Sequence, residues 1–361
     1  LTLAGGSPMS YNPIGGFRAA AGFFGDADRR WGFEAVATVL EHKANVTDIA
    51  SSTSIPTLAR PYTDSTNLNA FASQLVANPN FGMGRAVVGT SNQTWWTEAN
   101  GVVNLFRSQP GSKCAISVDF LAGYRYLQLE EDITIRTSTV LNQPPTVTPV
   151  FALGSFGVIT QVGTTSTPAS VPFGGVTITP PATVLVQDSF KVTNRFNGGQ
   201  IGLRTEVRYG MFTTNATAKL AIGDMNERLE IAGASGYVDL NHPIVNGGIA
   251  MPNVGTAYGG LLANASNIGR YSHDELSIIP EININVGLNI TRGLTAYLGY
   301  NFLYINNVAR PGDQINQVVN SATVPFNPLY GSLTTPSVPK QIFAQDEFWL
   351  MGVNFGLMMR Y

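Results

Sequence analysis

Three histidines, His42, His242 and His273, are the first residues to weigh for chemistry. No two of them stand at a metal-ligand spacing, and the sequence implies no metal and no cofactor. The stretch "YSHDEL", Tyr271 to Leu276, crowds Ser272, His273, Asp274 and Glu275 together in the manner of a hydrolase site. Neighbours on a strand point to opposite faces, however, so these residues cannot assemble a triad among themselves. "GDADRR" and "GDQINQ" set carboxylates beside glycine without the spacing of a calcium loop. A single cysteine, Cys114, leaves no intrachain pair and no thiolate metal framework. No catalytic residues are assigned, and the chain reads as a non-enzyme.

The charges that repay attention lie instead within alternating segments. In "GGQIGLRTEVRYG", Ile201, Leu203, Val207 and Tyr209 share one face, while Gln200, Arg204, Glu206 and Arg208 share the other. "MFTTNATAKLAIG" sets Phe212, Ala216, Ala218, Leu220 and Ile222 against Thr213, Asn215, Thr217 and Lys219. "PEININVGLNIT" alternates Ile282, Ile284, Val286, Leu288 and Ile290 with Glu281 and asparagines. The closing "FWLMGVNFGLMMRY" places Trp349, Met351, Val353, Phe355, Leu357, Met359 and Tyr361 on one side. Period-two patterning of this kind marks strands with one greasy face. Arg125, Arg204, Glu206, Arg208, Lys219, Glu281 and Arg360 then project into one interior. A soluble core could not bury so many charges without a large desolvation cost, whereas the lumen of a barrel can hold them in mutual pairs or in water.

The elements that must position these charges have the same habit throughout. Further strands are read in "GGFRAAAGFFG", "RWGFEAVATVL", "QTWWTEANGVVNLFR", "AISVDFLAGYRYLQL" and "LTAYLGYNFLY", which makes nine in all. Short connections ("GDADRR", "SQPGSK", "YGM", "TRG") alternate with long ones near 42–92, 139–183, 232–271 and 309–345. Such alternation is the habit of outer-membrane barrels, with short periplasmic turns and long outer loops. Trp31, Tyr209 and Tyr361 fall near one end of the outward faces, and Trp95, Tyr126, Tyr304 and Trp349 near the other, as two aromatic girdles should. Charged residues make up only 12% of the chain, which carries a formal net charge of −2. That balance gives no support to nucleic-acid binding. Nine is odd where single-chain bacterial barrels are even, so a further strand upstream of Leu1, or a strand pair hidden in a long loop, is expected. The fold class is therefore all-β: one antiparallel transmembrane β-barrel domain over 1–361, with about ten strands, between eight and twelve.

Several segments also resemble a known family. "DFLAGYRYLQLEEDITI", "NRFNGGQIGLRTEVRYG", "NIGRYSHDELSIIPEININVG", "GYNFLYINNVARPGDQIN" and "FWLMGVNFGLMMRY" are similar to the planctomycete outer-membrane barrels grouped as the seventh beta-barrel porin family. The resemblance spans roughly Gly15 to Tyr361 outside the long loops. It implies a barrel in the bacterial outer membrane and an additional N-terminal strand, and little about activity. Two functions stay open on the sequence. One is porin-like passage of small hydrophilic solutes through a narrow polar lumen. The other is a plugged barrel whose outer loops mediate protein–protein contacts in a surface assembly. The expected partners are outer-membrane lipid and, through the outer loops, a second copy or neighbouring envelope proteins.

Overall fold

A computed structural model describes residues 13–80, 82–109, 112–142, 146–153, 159–167, 171–246, 249–332 and 337–360. Nine strands follow one another around a single antiparallel wall. They are β1 (Gly16–Phe24), β2 (Trp31–Leu40), β6 (Gly82–Arg107), β7 (Cys114–Leu141), β12 (Ala182–Tyr209), β13 (Phe212–Asn246), β15 (Gly269–Asn289), β16 (Leu294–Ala309) and β18 (Gln345–Met359). Two more join the same sheet, β3 (Lys43–Ala50) on β6 and β14 (Ile249–Tyr258) on β13, giving 11 strands. Among the described residues β1 and β18 are the two ends of the path and do not pair with each other. Among the described residues the path is open and does not supply the closure or the tenth strand expected from the sequence.

The outward faces carry one continuous apolar band. On β7 the outward side chains are Ile116, Val118, Phe120, Ala122, Tyr124 and Tyr126, followed by Gln128, Glu130 and Asp132. On β12 Tyr209, Val207, Leu203 and Ile201 give way to Asn197, Arg195 and Lys191. β13 and β15 change character in the same way, after Ile222 and after Leu276. The apolar band is therefore 9 residues deep on β12, 11 on β7 and β13 and 13 on β15, close to the 9–11 residues with which a tilted strand crosses a bilayer. Trp31, Trp95, Tyr126, Tyr209, Tyr304 and Trp349 all occupy outward positions in this band, and the rings of Trp95 and Tyr126 lie 5.1 Å apart. Tyr361 lies outside the described residues.

Several strands continue well past the band. β7 and β12 have 28 residues each and β13 has 35. Beyond the band their phase inverts. On β7 the apolar residues move from even to odd positions, so that Leu127, Leu129, Ile133 and Leu141 point inward and are buried. The lower storey is therefore greasy outside and polar inside, and the upper storey is the reverse. β3, β6, β7, β12, β13 and β14 make the upper wall.

The ranges read as long loops are consequently rich in strand. Besides β3 and β14 they hold β4 (Leu58–Asp64), β5 (Ala70–Ala77), β8 (Thr146–Leu153), β9 (Ile159–Thr167), β10 (Val171–Phe173), β11 (Val176–Ile178) and β17 (Val318–Val319). β17, β4 and β5 form a small sheet. Tyr62 from β4 and Val319 from β17 pack with Leu261, Leu262, Ala263 and Val324 against Phe190, Val192, Leu229 and Ile231 of the upper wall. Higher still, Phe173 and Ile178 pack on Leu141, Ala182, Val184 and Val186.

Candidate functional site: the interior of the wall

All seven charges singled out in the sequence point inward or into the lower mouth, but they fall into separate groups. At the short-turn end Glu206 gathers two cations. Arg360 donates to both of its oxygens, one contact being 3.0 Å, and Arg208 Nε donates at 2.7 Å. Glu206 and Arg208 share a face because they are two apart on β12. These side chains are partly exposed, which suits a mouth.

One step further in, Arg204 pairs with Glu34 of β2, and the Asn100 amide donates to the same carboxylate at 3.2 Å. At the centre lies a buried cluster. Arg125, wholly shielded, meets Glu281 and lies 3.1 Å from Glu98. Lys219 donates to Glu98 at 2.5 Å, and Gln200 Nε2 donates to the same oxygen at 3.0 Å. Arg18 of β1 reaches Glu281 at 3.4 Å. Three cations and two carboxylates from β1, β6, β7, β13 and β15 thus meet across the interior.

The Arg18 contact also reports the tilt of the strands. Followed strand by strand, Arg18 stands level with Thr38, Trp96, Leu127, Phe196, Met225 and Glu275. Its guanidinium nevertheless reaches Glu281, six residues nearer the short-turn end of β15. Such an offset is what tilted, sheared strands produce when a sheet curls toward closure.

Directly beyond the charges the interior turns apolar. Trp96, Leu127, Leu129, Phe196, Met225, Ile279, Leu303, Ile305 and Val308 form one buried cluster, with Leu40, Phe348 and Leu350 against it. Eight strands of the wall contribute, so the cluster is a disc across the lumen. Above it Arg310 forks onto Glu131, with one contact of 3.0 Å, and Asn92 donates to Glu131 at 2.9 Å. Asn194 holds the Ala309 backbone from both sides, donating at 2.9 Å and accepting at 3.0 Å. Gln314 donates to the carbonyls of Arg310 and Ala344. The segment "ARPGDQIN" therefore folds inward and is tied to the wall. Higher up, Asp188, fully buried, binds Arg60 of β4 and accepts from the backbone N–H groups of Leu262 and Ala263 at 2.9 and 2.8 Å.

Glu34, Glu98, Arg18, Glu131 and Arg310 were not singled out from the sequence. A charge count would have pointed to the first two. The seven named residues comprise five cations and two carboxylates, a surplus that a buried interior must offset. Glu34 and Glu98 stand on the same polar faces. His273 lies 3.2 Å from Glu275 and 5.5 Å from the Phe343 ring, while Ser272 and Asp274 occupy the opposite face of β15. No group of metal-binding side chains occurs among the described residues.

The fold and its interior define a β-wall built for a bilayer, apolar toward lipid and ionic within. Consistent with that class, the chain matches the family described as Putative beta barrel porin-7 over residues 1–155 and 173–361, and it belongs to that family. Membership points to an outer-membrane setting and a porin-like role. No curated protein and no solved structure matches the chain.

Proposed function

We propose that this chain is a bacterial outer-membrane β-barrel, non-enzymatic and closed across its lumen, whose upper storey serves as a scaffold for contacts at the cell surface. The observation carrying this reading is the double filling of the interior. Arg125, Glu98, Lys219 and Glu281 are no more than 6% exposed, so they sit in a dry cluster rather than along a water path. The apolar disc above them offers an ion no partner, and desolvating a charge against it would be costly. Closure of the wall between β1 and β18 is part of the proposal. The Arg18–Glu281 contact, which brings β1 within reach of β15, supports it.

The upper storey supports the scaffold half. Much of the chain lies above the lipid band, and the β4–β5 hairpin ends in Leu68 and Phe71, which are 98% and 97% exposed. Exposed apolar residues of this kind are characteristic of contact surfaces. Passage of small hydrophilic solutes is the second reading. The half-exposed mouth of Arg204, Arg208 and Arg360 favours it, but a solute would have to displace both layers above.

Single-channel recording of the full chain in a planar bilayer separates the two. With insertion confirmed by resistance to heat denaturation on a gel, the expected result is a silent membrane. Stable, reproducible current steps would overturn the closed-lumen reading.

A further inference from the structure

The outer wall carries a charged crevice above the apolar band. It has a volume of about 480 Å³ and lies across β7, β12, β13 and β15. Its cations are Lys191, Arg195, Arg228 and Arg270, all at outward positions. Arg195, Arg228 and Arg270 each stand six residues beyond the last outward apolar residue of their own strand, Ile201, Ile222 and Leu276. At roughly 3.3 Å per residue and a tilt of about 40°, their backbones lie ~15 Å above the hydrocarbon edge. A guanidinium reaching down by ~6 Å lies ~9 Å above that edge, at the outer margin of an ordinary headgroup layer, which is about 5–8 Å thick. A larger, sugar-sized headgroup fills that height.

The cations are not equally committed. Lys191 is paired with Glu130 at 2.6 Å and Arg270 with Glu230 at 3.2 Å. Among the described residues Arg228 is bound only through Nε, which donates to Asn226 Oδ1 at 2.9 Å, and Asn226 Nδ2 donates to Asp274 at 2.6 Å. Arg195 Nε is buried and has no hydrogen-bond partner among the described residues. Thr193, between them on the outward face, is only 8% exposed and forms the floor. Arg195 and Arg228 sit diagonally on adjacent strands, two residues out of direct register, which puts their origins about 7–8 Å apart. Two forked cations at that separation can grip one phosphate, while the flanking carboxylates and hydroxyls suit sugar hydroxyls.

We propose that this crevice binds the phosphorylated sugar headgroup of an outer-leaflet lipid, with Arg195 and Arg228 as the phosphate ligands. The proposal rests on the placement of the apolar band in a bilayer. The test uses the full chain refolded into phosphatidylcholine vesicles, then extracted into detergent and titrated with lipid A, a bis-phosphorylated glycolipid, by native mass spectrometry. The R195Q/R228Q variant is expected to bind about tenfold or more weakly. The R30Q/K340Q control, which loses two exposed cations elsewhere, should bind like the parent. Equal binding by R195Q/R228Q and the parent overturns the site, and so does an equal loss in the control. Displacement of lipid A by millimolar inorganic phosphate would mark a free-phosphate site and also overturn the lipid assignment. A parent that fails to enter the vesicles overturns the membrane reading and the site with it, whereas insertion with unaltered variant binding overturns the site alone.

Discussion

Replacing Glu98 by alanine tests whether the buried cluster holds the wall together. Glu98 is 3% exposed and serves Lys219, Arg125 and Gln200 at once. Its loss raises the cluster from one excess cation to two and leaves Lys219 with no carboxylate in contact. Removing one member of a buried ion pair typically costs about 3–5 kcal/mol, because the partner stays desolvated and unpaired. At about 1.4 kcal/mol per factor of ten, that is roughly two to four powers of ten in the unfolding equilibrium. Urea titration of the protein in detergent micelles, followed by tryptophan fluorescence, reads the shift in midpoint. The companion E98A/K219M removes both charges and should recover much of the loss, since the penalty resides in the stranded ammonium. An E98A variant within about 1 kcal/mol of the parent would refute the reasoning, a shift no larger than an exposed ion pair produces. So would a double variant no more stable than E98A alone.

Two further outcomes concern the upper storey. Asp188→Asn leaves Arg60 buried without a countercharge and weakens the acceptor for Leu262 and Ala263. Hydrogen exchange at those two amides should rise about 100-fold, corresponding to about 3 kcal/mol, while the amides of β15 and β16 in the lipid band stay protected. Unchanged exchange at Leu262 would count against Asp188 as the anchor. Asp313 titrates above the ordinary aspartate range because of burial first and the neighbouring Asp346 second. A carboxylate with a raised folded pKa penalises the fold at higher pH, and the penalty is relieved as pH falls through that pKa. Asp64 is partly desolvated, but hydrogen bonds from Ser321 and Thr66 hold it below its ordinary value, so its contribution is lost only at still lower pH. Protease resistance of the segment around Asp313 should therefore rise as pH is lowered from 7 toward the top of the ordinary aspartate range, and the rise should shrink in Asp346→Asn. A rise that is unchanged in that variant would assign the pH effect elsewhere.

The alternation of the lower storey was legible in the sequence because side chains on a strand repeat every two residues, and one face there is apolar and the other polar. Phe120, Ala122 and Tyr124 share the outward face of β7, so Arg125 takes the inward one. The extent of the strands was not legible. In "GYRYLQLEEDITI" the apolar phase passes from Tyr124 and Tyr126 to Leu127 and Leu129, leaving two adjacent bulky residues where the pattern breaks. A period-two reading takes such a break for the end of a strand, although the backbone continues to Leu141. The partners within the interior were hidden for another reason. Strand position fixes which way Glu98 and Arg125 point, but only the curl of the wall brings Arg18 of β1 to Glu281 of β15. Arg310 escaped notice because it follows the end of β16, in a segment that the pattern reads as loop.

The inversion of phase along β7, β12 and β13 also acts as a depth stop. A barrel with uniform walls can ride up or down in a bilayer of varying thickness for a modest cost per ångström. This chain cannot sink without drawing Gln128, Arg195, Asn226 and Asp274 together toward hydrocarbon, since all four stand in one row. Nor can it rise without wetting Ile116, Val207, Phe212 and Leu288 at the opposite margin. Each of the four strands thus carries its own mark, two residues beyond Tyr126 and Leu276, four beyond Ile222 and six beyond Ile201, and in a bilayer that staggered edge is what resists displacement.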